Sequence, residues 1–151
     1  MENISENVTF DNWINYEGKE FFKIENTPNE EQIGNGKRVA ERIYEPLVTQ
    51  FGEVITIETG FLNSKLNQKI SKEFNFDKGD ALKISSEKSA EVFNYIKDYL
   101  EFDTLIWMLG KDNPCRIYVS YNAENRKQIL RAKFNFALKK LECTPFEIST
   151  I

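Results

Sequence analysis

Apolar residues change their spacing repeatedly along this chain, and the changes mark its elements. From Gln32 to Gln50, Val39, Ile43 and Leu47 recur at helical spacing. Asn29 is placed to cap that helix, and Glu30 and Glu31 suit its positive end. Gly34 and Gly36 weaken the first turns, Pro46 should kink or reset the helix, and Gly52 ends it. Val54 to Thr59 alternates as a strand does. Residues 64–73 suit a short helix opened by Ser64, and Ala81 to Ile84 a second strand. Ser85 or Ser86 then caps a helix to about Leu100, with Ala90, Phe93, Ile96 and Leu100 as its apolar stripe. Thr104 to Leu109 and Arg116 to Tyr121 read as an antiparallel hairpin around the turn Gly110 to Pro114. Residues 124–141 are helix-favouring, although the alternation of Phe134 and Phe136 also suits a strand. Ahead of all this, the polar segment 1–29 carries Phe10, Trp13, Tyr16, Phe21 and Phe22 as anchors, with a short helix or turn near 10–16 and a strand at 20–24.

This order predicts an α+β fold: one domain with a mostly antiparallel sheet packed with helices. Residues 1–29 form an N-terminal docking arm, 30–143 the body and 144–151 an extended tail. With 151 residues, 40% of them apolar, the chain can bury a real core. Its 24 acidic and 20 basic residues give a net charge of −4, which argues against nucleic acid as a partner. No stretch is long and apolar enough to span a membrane, and no secretory leader is recognisable. Cys115 and Cys143 could form one disulfide, but two free thiols in a reducing compartment is the favoured reading.

The chain has no histidine. The absence gains meaning from three stretches. Val39-Ala-Glu-Arg-Ile-Tyr-Glu-Pro-Leu-Val48, followed by Phe51-Gly52, is similar to a helix ending in a "leu-glu-pro-leu" phrase. Ile55-Thr-Ile-Glu-Thr-Gly-Phe-Leu-Asn-Ser-Lys-Leu-Asn67 looks like a strand running into "ser-gly-tyr-arg-ser" and then "leu-asn". Phe102 to Trp107, Ile117 to Tyr121 and Asn125 to Ala132 resemble a closing hairpin "trp-val-his-val-ser" with a trailing "asn-arg … leu-arg-ala". Together, over roughly residues 30–132, they resemble the M15 peptidase family of D-alanyl-D-alanine carboxypeptidases and phage endolysins. That family shares its fold with the hedgehog signalling domain.

The resemblance implies a zinc site, and this sequence departs from it at every ligand. Gly79, Ala81 and Ile84 keep the frame of the first metal-binding stretch, but the histidine position holds Phe76 and the aspartate position Lys83. The second histidine position holds Tyr118. The arginine that would hold substrate or transition state is Leu62. Phenylalanine has no donor, lysine repels a cation, and a protonated phenol is a poor ligand. Without the metal, no water is activated as a nucleophile. The expectation is a pseudoenzyme with no catalytic residue, no metal and no cofactor. The larger side chains of Leu62, Phe76 and Tyr118 should fill the old groove.

Other chemistry is weaker. Arg116 could activate the Cys115 thiol, but an ordinary thiol beside a surface arginine is the plainer reading. Asp77, Asp80 and Glu73 could bind calcium or work as an acid–base pair, against the plainer reading of a solvated loop. Gly34 and Gly36 are misplaced for a phosphate loop. Lys83 could replace the metal as a cross-link by pairing with Asp77 or Asp80. Small M15-like domains are common in bacteriophages, so the resemblance implies a structural or interaction protein of a virion (capsid, connector or tail). It would bind other protein subunits, in the virion or the host cytoplasm. The alternatives are a non-cleaving module for peptidoglycan peptide and, more weakly, a metal-independent hydrolase.

Overall fold

The computed structural model describes residues 2–52 and 55–146. A six-stranded sheet in the order β1-β2-β4-β3-β5-β6 carries the fold. Its strands are β1 (Thr56–Thr59), β2 (Ala81–Ser85), β3 (Thr104–Met108), β4 (Arg116–Ser120), β5 (Gln128–Asn135) and β6 (Lys140–Pro145). All neighbours are antiparallel except β3 and β5, which run parallel from Thr104↔Gln128 to Met108↔Ala132. The helices are α1 (Phe10–Ile14), α2 (Lys19–Phe22), α3 (Glu30–Val39), α4 (Glu45–Phe51), α5 (Ser64–Ile70) and α6 (Ser89–Tyr99). The α+β class with a mostly antiparallel sheet is as expected.

Strand alternation splits the core in two. Leu82, Ile84, Leu105, Trp107, Ile117 and Val119 face the larger cluster, where Val39, Ile43, Leu47, Val92, Phe93 and Ile96 come from the helices. Ala81, Ile106, Met108, Tyr118 and Ala132 share a second cluster with Leu62, Leu66, Phe74 and Phe76. Both faces of the sheet are therefore covered.

Local signals explain the long helix. Asn29 Oδ1 accepts from the Gln32 amide and Gln32 Oε1 from the Asn29 amide, each at 2.8 Å, a reciprocal capping box. Pro46 has no N–H to donate back along the helix. The chain answers with a π-helical turn, Ala40–Tyr44, in which the Glu45 amide reaches the Ala40 carbonyl, and α4 restarts with the proline in its first turn. The helix is thus reset rather than broken, and Gly52 ends it at φ 79°.

Several boundaries differ from the sequence reading. Residues 124–141 do not form a helix. β5 pairs with β3, and β6 returns antiparallel along β5. The helix-favouring Ala, Leu and Lys content yields to non-local pairing, and the alternation through Phe134 and Phe136 was the better guide. Residues 19–22 are helical, not a strand, and Lys23 leaves that turn with φ 53°. Asn63, not Ser64, caps α5, and α6 begins only at Ser89. The body–tail boundary after Cys143 falls inside β6, and residues 147–151 of the extended tail expected over 144–151 lie outside the described residues, as do residues 53 and 54 of the first predicted strand.

The N-terminal segment packs on the body through Trp13. Its indole is fully buried, stacked on Phe61 with ring centroids 5.2 Å apart. Three glycines make its socket. A Cβ on Gly36 would lie 2.4 Å from the indole, one on Gly60 2.5 Å from it, and one on Gly79 3.2 Å. The glycine that weakens α3 is the space Trp13 needs. Phe21, by contrast, is 83% exposed and packs edge to face on its neighbour Phe22.

Candidate functional site

The positions singled out by the resemblance, far apart in sequence, meet on one side of the sheet. Lys83 and Tyr118 are direct cross-strand partners on β2 and β4. The Tyr118 ring packs edge-on against Phe76 at 5.4 Å and stacks on Phe74 at 5.3 Å. Leu62 and Phe76 are completely buried in the same cluster, and the Leu62 amide donates to the Phe76 carbonyl at 3.5 Å.

Buried amides hold this arrangement. Asn67 Nδ2 donates to the carbonyls of Ser71 (3.1 Å) and Phe74 (3.0 Å), while its Oδ1 accepts from the Phe76 amide at 2.7 Å. Asn26 works likewise, donating to the carbonyls of Ile14 and Phe61 and accepting from the Asn63 amide. Each bracket satisfies backbone groups that a buried loop would otherwise leave unpaired.

The residues at these positions do not fit zinc. Leu62 and Phe76 have no donor atom. Burial pushes the Tyr118 phenol well above its usual range, with Asp80, Asp103 and Asp77 adding to it, and the hydroxyl donates to the Asn75 carbonyl at 3.0 Å. A neutral phenol already engaged in this way is a poor ligand. Burial pushes the Lys83 ammonium below its usual value. Arg116 adds to that shift, while Glu58 and Glu17 oppose it.

Lys83 is not the cross-link anticipated. Among the described residues it forms no ion pair with Asp77 or Asp80. Its cross-strand neighbours are Thr59 and Tyr118, whereas both aspartates precede β2. Nor do Asp77, Asp80 and Glu73 converge: among the described residues, no three His, Cys, Asp or Glu side chains come together as a metal site. Cys115 and Cys143 are both free and exposed. Arg116 donates to the Cys115 carbonyl at 2.9 Å and lies 3.6 Å from Glu58, so these two oxygens engage its guanidinium.

Leu62, Phe76 and Tyr118 are buried together and leave no opening between them, but space lies to one side. Beside Tyr118 an open groove of about 640 Å³ remains. Phe74, Ile106, Tyr118 and Leu130 give it apolar walls. Glu73, Asp80, Asp103 and Glu124 line it as well, with Lys78 and Arg126. Asp80 is half-buried and its carboxyl is raised by that burial, which Lys78 partly offsets.

One element of this wall was not anticipated. Asp103, 4% exposed, accepts from Arg126 Nε and Nη2 at 2.9 Å each and from the Arg126 amide at 3.2 Å. Thr104 Oγ1 adds a fourth bond at 3.0 Å. The Arg126 hydrogen bonds hold the Asp103 carboxyl down at about 2, against the desolvation that would raise it. Both residues lie in the quoted stretches, but charges at a strand start and in a loop read as surface, and only their approach in space reveals the clasp. Comparison with protein-family models, with curated proteins and with solved structures finds no match.

Proposed function

We propose that this chain is a catalytically inactive, M15-peptidase-like protein with a hedgehog-like build, used for its surface. Its setting is a bacteriophage virion, as a structural or interaction component of capsid, connector or tail. One observation carries the reading: Leu62, Phe76, Lys83 and Tyr118 form one packed constellation, as residues of a former site would, yet they offer zinc no donor set. The virion setting follows from the resemblance to small phage domains. Two measurements test the two halves. Protein incubated with zinc and dialysed should retain far less than one equivalent by elemental analysis; a full equivalent together with cleavage of a D-Ala-D-Ala peptide would overturn the inactive reading. Mass spectrometry of purified particles should find the chain in those of a phage that encodes it, and its consistent absence removes the virion role.

The groove beside Tyr118 favours a second reading, a module that holds cell-wall peptide without cutting it. An open cleft with apolar walls and charges of both signs suits a zwitterionic peptide. Sedimentation with insoluble peptidoglycan decides: retention would promote this reading, and no retention would leave the assembly role alone.

A further inference from the structure

Charge is divided unevenly along this chain. Residues 125–141 hold six basic side chains (Arg126, Lys127, Arg131, Lys133, Lys139 and Lys140) and no acidic one. The rest of the chain therefore keeps 14 of the 20 basic residues against all 24 acidic ones. Arg126 and Lys127 pair with Asp103 and Glu101 ahead of β5, while Arg131, Lys133, Lys139 and Lys140 lie on β5, the turn after it and the start of β6, a ribbon that projects. Pairing of β3 with β5 stops at Met108↔Ala132, whereas β5 and β6 pair onward to Asn135↔Lys140. The end of this ribbon is apolar as well as basic. Phe136 is 83% exposed, Leu138 58% and Phe134 43%, and the two phenylalanine rings pack edge to face at 4.9 Å. An exposed apolar cluster of this kind usually marks a docking surface.

We infer that this hairpin docks on a second copy of the chain, seating Phe136 and Leu138 in the groove beside Tyr118 of the facing copy. The inference deepens the assembly role proposed above and depends on that reading only for its biological setting. Charge complementarity selects the occupant. The lysines at the turn meet their opposite on the chain's own acidic body, where Glu73, Asp80, Asp103 and Glu124 outweigh Lys78 and Arg126 along the groove around Phe74, Ile106 and Tyr118. An anionic membrane would attract the hairpin but repel that body, and the chain as a whole is at −4. Leu130 and Cys143, at the base of the hairpin, also line the groove, so the two surfaces adjoin on each molecule. Two copies facing each other across a two-fold axis make both contacts at once, giving a closed, isologous dimer.

Sedimentation velocity on the full chain tests this, from about 1 to about 200 µM and at about 0.05 and 0.5 M salt. The expected result is a concentration-dependent dimer, weakened about tenfold or more at high salt. Phe136→Ser with Leu138→Ser, both exposed, should keep the melting temperature and lose the dimer. Lys139→Glu with Lys140→Glu should also give a monomer, and mixing it with a Glu73→Lys, Glu124→Lys chain should restore association. A wild-type monomer across the whole range overturns the proposal. So does a dimer that ignores both hairpin variants, or a monomer that co-sediments with phosphatidylglycerol vesicles through Phe136. A chain found in virions but monomeric overturns only the docking, and a dimer absent from virions overturns only the virion setting.

Discussion

Trp13 and Phe136 are both aromatic residues on segments outside the central body, and they meet opposite fates. Trp13 is completely buried, its indole enclosed by Gly36, Gly60 and Gly79. Phe136 sits on a projecting turn in water. The difference does not lie in the aromatic residues or their local spacing. It lies in whether the rest of the chain supplies a socket. The N-terminal arm is therefore part of the core, and the apolar tip of the C-terminal hairpin stays exposed.

The sharpest way to break the contrast is Trp13→Ala, which should cost about 4 kcal/mol, as large buried aromatics do. Urea denaturation measures it, and a cost below about 1 kcal/mol would show the arm to be dispensable. Filling the socket should cost less. Gly36→Ala forces a methyl into the indole, and Gly79→Ala both strains a φ of 79° and meets the Gln32 carbonyl at 2.4 Å; about 2–3 kcal/mol each is expected. Asp103→Asn should cost about 2 kcal/mol at neutral pH by weakening charge-assisted bonds. Its pH signature is specific. Asp103 is held near 2 in the folded state, below its ordinary 3.8, so its stabilisation is complete above the ordinary value and is lost as pH falls through about 2. Melting curves between pH 4.5 and pH 2 should show that loss in the wild type and a shallower slope in the variant. Phe136→Ser should be the smallest effect, within about 0.5 kcal/mol. A larger loss would mean that the hairpin belongs to the core after all.

These expectations also locate what could be read from residue order. The Asn29 cap, the Pro46 reset and the β3–β4 hairpin were legible because their causes lie within a few residues of one another. β5 and β6 were not, since helix-favouring side chains there are overruled by β3, which pairs with β5 from 24 residues upstream (Thr104↔Gln128). Of the candidate site, the meeting of Leu62, Phe76, Lys83 and Tyr118 could be expected only through the resemblance. The groove beside them could not, because open space depends on how the 71–80 loop is bracketed by Asn67. Gly36 read as a flaw in a helix, and only the tertiary contact shows it as a vacancy kept for an indole.

The Asp103–Arg126 clasp has a consequence for how the chain assembles itself. β4 follows β3 and pairs on one side, so the other side of β3 stays a bare edge until β5 crosses over to it. Nothing like a tight turn aligns that parallel pair. The clasp sits at the point of crossing, beside the bonds from the Lys127 amide to the Phe102 carbonyl and from the Gln128 amide to the Asp103 carbonyl. During synthesis it would act as a latch that sets the slide of β5 along β3. A slip of one residue would turn Leu130 and Ala132 to the wrong face and leave a sticky nascent edge open to neighbouring chains.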